Sequence, residues 1–170
     1  MKSDSALLAH LQNGDEIAWS EFYNMYVQLL YNFIRSNGIY DPDHINDVVL
    51  ETWAAAPRAI ANFDGQNATL KTFLFSIARR KVSDFWRKHK NQYELPEEIP
   101  FVESTQENLE LQEALAKLPD QERQALVLRY LEGFSVSEIA DILDRTYKGT
   151  ESLLSRARKR LETELLNLGK

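Results

Sequence analysis

Apolar positions recur at three- and four-residue spacing through most of the chain. Phe22, Met25, Tyr26, Leu29, Leu30 and Phe33 form one such face, which predicts a helix. Asp41 followed by Pro42 reads as an N-cap with proline at the first helical position. Ile45, Val48, Val49, Thr52, Trp53 and Ala56 continue that second helix, and Pro57 is expected to kink or end it. A third runs over 69–90, with Leu70, Phe73, Leu74, Ile77, Ala78 and Phe85 inward. Helices are also predicted for 109–118, stopped by Pro119, and for 120–132, ending at Gly133 as a C′ residue. Ser135 with Glu138 three residues on is a capping box that opens another. No sustained apolar/polar alternation with β-branched enrichment occurs, so strands are not expected and the fold class is all-α.

Periodicity is lost between Asn91 and Asn108. Pro96, Pro100 and the acids Glu94, Glu97, Glu98, Glu103 and Glu107 mark an acidic, flexible linker there. The chain therefore divides into two small helical domains, 1–91 and 109–170, joined by linker 92–108. Each is small enough to be marginally stable alone.

Composition narrows the chemistry. The 170 residues contain no cysteine, which excludes a disulfide scaffold, thiolate catalysis and a Cys-based zinc site. His10, His44 and His89 stand far apart, so no metal site is expected. The six glycines are scattered and build neither G-x-G-x-x-G nor a P-loop. No constellation of nucleophile, base and acid is visible, so no catalytic residue, enzyme activity or cofactor is expected. No run of about 18 apolar residues exists and the N-terminus lacks a signal-peptide pattern. A cytoplasmic protein without membrane insertion is the expectation.

The net charge of −6 hides an uneven distribution. Segment 79–90 carries six bases against Asp84 alone, and segment 145–160 carries six against Glu151 alone. Segment 94–122 carries nine acids against Lys117. Basic clusters are what phosphate contacts require, although a solvated helix face would look the same. On helix 69–90, Thr72, Ser76, Arg79, Arg80, Ser83, Arg87 and Lys90 form one polar, basic stripe opposite the apolar one. Phe63, Phe73, Phe75, Phe85 and Trp86 lie near it, and aromatics beside cations suit unstacked bases. Phe73 and Phe85 fit core packing better. The second cluster follows a short helix over 137–143 and a turn, Asp144-Arg145-Thr146, where Asp tolerates left-handed backbone. A second helix over 148–161 completes a helix-turn-helix, whose second member enters the major groove N-terminus first. An ordinary αα-hairpin is the competing reading.

Both halves, in order, resemble the extracytoplasmic-function group of bacterial sigma factors, in the sigma-70 superfamily. GDEIAWSEFYNMYVQLLYNFIR, INDVVLETW and NFDGQNATLKTFLFSIARRKVSDFWRK look like region 2 of that family. ALAKLPDQERQALVLRYLEGFSVSEIADILDRTYKGTESLLSRARKRL is similar to region 4. The resemblance implies binding of core RNA polymerase at its clamp helices and flap, melting of the −10 element by region 2 and docking of region 4 on the −35 element. Asp47, Val48, Leu50, Glu51 and Trp53 would then meet the polymerase, with Leu standing at 50 where Gln is usual. Phe63, Asp64 and Asn67 fall in the loop that captures a flipped −10 base. Thr72, Ser76, Arg79, Arg80, Ser83, Trp86, Arg87 and Lys90 would serve the −10 element, with Arg80 in place of a common Asn. Arg145, Thr146, Lys148, Gly149, Thr150, Glu151, Ser152, Ser155, Arg156, Arg158 and Lys159 would serve the −35 element. Asp144, Arg145 and Gly149 depart from the family's usual residues there. Promoter DNA and an anti-sigma factor are the further partners implied. A stand-alone helix-turn-helix regulator is the alternative, and segment 44–53 separates the two readings, because a simple repressor needs no clamp-binding helix.

Overall fold

The computed structural model describes residues 3–89 and 106–169. Among these there are helices and turns but no strand. The helices are α1 (Asp4–Gln12), α2 (Glu16–Ser36), α3 (Pro42–Ala59), α4 (Leu70–His89), α5 (Gln106–Ala116), α6 (Asp120–Leu126), α7 (Val136–Ile142) and α8 (Tyr147–Leu168). Segment 92–105 of the expected linker lies outside the described residues, as does Lys90. The last three linker positions, 106–108, belong to α5.

Side-chain caps place several starts. Asp15 Oδ1 accepts from the N–H groups of Ile17 and Ala18 at the head of α2. Asp41 accepts from Asp43 N–H, with Pro42 beside it as anticipated. The Ser135–Glu138 capping box closes in both directions. Capping of this kind satisfies the N–H groups that a helix start leaves orphaned. Pro57 does not end α3 at once, since the helix continues to Ala59 before a 3₁₀ turn, Ile60–Asn62. The expected helix 120–132 is more irregular than its pattern suggests. α6 widens after Leu126 into a π-helical turn, Val127–Leu131, where Glu132 N–H reaches back to Val127 O at 3.0 Å. Gly133 then takes φ +77°, as a helix-terminating residue should. α1 was not anticipated; only Leu7, Leu8 and Leu11 bury, too few for a strong periodic signal.

α2, α3 and α4 form a bundle around Phe22, Phe33, Ile34, Ile45 and Leu74, with α1 packed on α2 and on the 3₁₀ turn. α5 to α8 close around Leu115, Leu126, Leu128, Ile139, Leu153 and Ala157. These two units do not stand apart. α4 packs against α6 and α7, and α2 against the π turn. One apolar cluster runs through both. The link is aromatic: Phe75 meets Phe33 at 5.2 Å on one side and Phe134 at 5.1 Å on the other, both edge-on. Lys71 Nζ sits 4.7 Å above the Phe134 ring, and Tyr40 Oη donates to Gln112 Oε1 at 3.2 Å.

A shared core predicts shared unfolding. The wild-type chain should lose both units in one calorimetric transition. Phe134→Ala, which removes a ring only 2% exposed, should cost roughly 3–5 kcal/mol. It should also broaden or split that transition. An unchanged, single-step profile in Phe134→Ala would show that the aromatic link does not couple the units.

Candidate nucleic-acid interface

The loop ahead of α4 is held at both ends by α1. Gln12 Nε2 donates to Ile60 O at 3.0 Å and to Phe63 O at 2.8 Å. Asp4 Oδ2 accepts from Leu70 N–H at 3.2 Å, so one helix caps another from 66 positions away. Thr69 Oγ1 takes the Thr72 N–H and completes the cap. Within the loop Asp64 Oδ1 accepts from Gln66 N–H at 2.9 Å, a turn that leaves Asp64 and Asn67 exposed. Phe63 packs half-buried on Phe73, their centroids 4.9 Å apart. Neither Asp4 nor Gln12 was singled out from the sequence, since their partners are backbone groups far along the chain.

The polar stripe of α4 is formed, but most of it faces protein. Thr72 is 2% exposed and its hydroxyl pairs with Thr69, so it is a helix-start residue rather than a base contact. Ser76 Oγ donates back to Thr72 O. Arg79 is half-buried and its Nε donates to Ile142 O at 2.9 Å. Burial, and then Arg80 beside it, depress the Arg79 pKa, while Asp144 and Asp120 oppose this. Ser83 Oγ donates to Asp120 Oδ2 at 2.8 Å and receives Gln124 Nε2 at 3.0 Å. Trp86 donates its indole N–H to Asn37 O at 3.1 Å, and the Arg123 guanidinium lies 5.3 Å from its ring. Arg80 and Arg87 are exposed, Arg87 paired with Asp84.

The helix-turn-helix is present. Asp144 adopts φ +54°, the left-handed turn that its residue type tolerates. Thr146 caps α8 by accepting from Gly149 N–H at 3.0 Å. A Cβ at 149 would come within 2.9 Å of that same hydroxyl, so glycine suits the tight cap. Lys148, Glu151 and Ser152 share one exposed face at the start of α8, with Ser155 half-buried beside them and Lys159 on the same side further along. Arg156 is exposed beside that face, and Arg145, half-buried, donates to Gln121 Oε1. Thr150 lies elsewhere: it is 0% exposed and its hydroxyl donates to Thr146 O, so helix packing accounts for it. Arg158 is exposed, its Nη1 donating to Tyr130 Oη at 2.8 Å.

On α3, Asp47, Leu50 and Glu51 face outward, and Leu50 is 65% exposed. Val48 is 3% exposed and belongs to the core, which corrects its reading as a contact residue. Trp53 is half-buried against Phe22 and Tyr23, at 5.4 and 5.1 Å. It forms, with Trp19, Tyr23 and Pro57, a groove of about 420 Å³ that the sequence reading did not include beyond Trp53.

Gly65 tests the loop. Its φ of +74° favours glycine, and a Cβ there would come 2.7 Å from Leu8 Cδ2. Gly65→Ala should cost about 1–3 kcal/mol and release the loop from α1, seen as a lower melting temperature and faster amide exchange around 63–69. Unaltered exchange in that loop would refute the anchoring.

Comparison with known proteins agrees with this geometry. The family model of sigma-70 region 2 matches residues 22–92, and that of sigma-70 region 4 matches residues 108–161. The ECF RNA polymerase sigma factor SigM of Bacillus subtilis is 31% identical over 159 residues, covering 88% of this chain and 95% of its own. The ECF RNA polymerase sigma-E factor of Haemophilus influenzae is 27% identical over 186 residues, covering 96% and 95%. Among solved structures, CnrH in complex with the cytosolic domain of CnrY superposes with a TM-score of 0.76 at 28% identity, over 99% of this chain and 100% of that one. The sigma factor RpoE bound to the anti-sigma factor NepR from Bartonella quintana gives 0.71 at 25% identity, over 89% and 98%. With region 2 on α2 to α4, region 4 on α5 to α8, and a relative above 30% identity along nearly its whole length, the chain belongs to the extracytoplasmic-function group of sigma-70 factors.

Proposed function

We propose a division of labour for this sigma factor in which α3 holds core RNA polymerase, α4 with the loop 63–69 opens the −10 element, and the start of α8 reads the −35 element. One observation carries the reading: the solvent-facing Asp47, Leu50 and Glu51 on a helix that a simple DNA-binding regulator would not need. Two carboxylates around an exposed leucine suit a partner with cations around an apolar contact. The aromatic groove of Trp19, Tyr23, Trp53 and Pro57 continues that face and extends the polymerase contact onto α2.

Direct reading of the −35 element falls to Lys148, Glu151, Ser152 and Ser155. Glu151 can accept from a cytosine amino group, and serine hydroxyls serve either base edge. Arg156 and Lys159 supply phosphate contacts, which position without specifying. Arg145, Thr146 and Gly149 hold the turn and cap that aim the helix. On α4, Arg79, Arg80, Ser83, Trp86 and Arg87 are the −10 residues, and Asp64 and Asn67 present the loop. The work is binding and deformation of DNA, with no reaction or cofactor of its own. Its place is the cytoplasm, beside the polymerase; no helix among the described residues is long and apolar enough to cross a membrane. A protein of the anti-sigma kind, as bound to the related RpoE, is the expected antagonist.

Reconstitution with core polymerase tests the assignment. Leu50→Asp should weaken core binding at least tenfold, about 1.4 kcal/mol, while leaving the fold intact, as measured by titration of labelled chain. Selection from randomised −35 sites should shift in base preference for Glu151→Ala, by about 1–3 kcal/mol at one position. Lys159→Ala should instead weaken all sites alike and flatten the salt dependence by about one unit. Promoter-specific transcripts that do not depend on the added chain would defeat the reading, as would specific operator binding that needs no polymerase.

A further inference from the structure

Tyr147 is the first residue of α8 and is 54% exposed. It lies outside the apolar cluster, and among the described residues no bond reaches its hydroxyl and no ring contact holds it. Other exposed rings are engaged. Tyr130 bonds Arg158 and lines a hollow with Leu161 and Leu166, and Tyr23 packs on Trp53. Tyr147 instead stands between Thr146 and Lys148, at the head of the helix assigned to the −35 element. The base-reading residues named above do not include it.

Glu151 decides which way this part of the helix must point. A carboxylate beside phosphates is repelled, so a helix that brings Glu151 onto duplex DNA turns it away from both backbones and toward base edges. Tyr147 lies four residues earlier, one turn up on the same face, and goes with it. Arg156 and Lys159 stay with the phosphates. The turn that carries Tyr147 is firmly closed. Thr146 accepts Gly149 N–H on its hydroxyl at 3.0 Å and Thr150 N–H on its carbonyl at 2.9 Å. A tyrosine has two side-chain torsions to fix, so ordering it on DNA costs little entropy.

The ring cannot tell donors from acceptors. One apolar feature marks a base pair in the major groove, the C5-methyl of thymine. Packing the ring on that methyl removes apolar surface of both from water. We propose that Tyr147 is a specificity-determining residue of the −35 interface, its ring seated on the methyl of a thymine close to the base that Glu151 reads. One helical turn rises about 5.4 Å against about 3.4 Å per base step, which sets the two bases about one to two pairs apart. The site then selects one base by an apolar contact and its near neighbour by a hydrogen bond. The inference rests on the assignment of α8 to the −35 element.

Holoenzyme assembled from core polymerase and the full chain provides the test. It first selects a best −35 duplex from a randomised pool. Each thymine of that duplex, on either strand, is then replaced singly by deoxyuridine, which removes the methyl and leaves every hydrogen-bonding group. Wild-type holoenzyme should bind one such duplex about fourfold more weakly, equivalent to about 0.8 kcal/mol, and the others unchanged. Tyr147→Ala should bind the parent duplex at least fourfold more weakly and be indifferent to that same deoxyuridine. Tyr147→Phe should keep both the affinity and the response. The wild-type scan and Tyr147→Phe decide the matter even where Tyr147→Ala lowers the melting temperature. A scan with no sensitive thymine overturns the proposal. So does a sensitivity that persists in Tyr147→Ala, and so does loss of affinity in Tyr147→Phe, which would place the hydroxyl on a phosphate. If Glu151→Ala shifts the selected site while the scan stays flat, this inference alone fails. If Glu151→Ala selects the wild-type site, the assignment of α8 fails with it.

Discussion

α4 is covered along most of its length, with Arg80, Arg87 and Lys88 as its exposed residues. Its apolar stripe is committed to α2 and α3, and the buried part of its polar stripe to α6 and α7. Polar groups removed from water must find partners or cost more than they contribute, and this requirement organises the middle of the molecule. Ser76 returns its hydroxyl to its own helix, Ser83 finds Asp120, and Arg79 finds a carbonyl at the end of α7. Arg123 is 4% exposed and is made tolerable by Asp120 at 2.7 Å and by the ring of Trp86. The same carboxylate of Asp120 thus serves both a buried cation within its own unit and a serine from the other.

Much of the architecture was legible because it is written in local chemistry. Asp41-Pro42, Ser135 with Glu138, Gly133 and Asp144 each need only their immediate neighbours to act, and each acts as read. The family resemblance supplied order and function on top of those signals. What escaped depends on distance. α1 buries three leucines and does its work through Asp4 and Gln12, whose partners are backbone groups 48 to 66 positions on. Nothing in a window of sequence announces such bonds.

The site residues show a related ambiguity. A polar stripe on an amphipathic helix signals a face that is not in its own bundle's core. It does not say whether water, DNA or a second part of the chain lies opposite. For α4 the answer here is the second part of the chain. Thr72, Thr150 and Val48 show the converse error: position in a motif placed them outside, whereas all three are buried, Thr150 with its hydroxyl on its own helix backbone and Thr72 with its hydroxyl on Thr69. Arg158 shows that a cation in a basic cluster can also serve the fold, since its guanidinium bonds the hydroxyl of Tyr130.

The clamping of the loop ahead of α4 has a consequence for how this protein can diversify. Gln12 fixes the entry of the loop and Asp4 its exit, both from α1. Between those two posts the side chains of Asp64, Gln66 and Asn67 project without bearing on the core. Such a loop can exchange its middle residues, as the hypervariable loops of an antibody do, without asking the scaffold to refold. The tip can therefore change by a few substitutions at little cost to the fold, and a tip grafted from a relative should leave the bundle intact wherever the posts are retained.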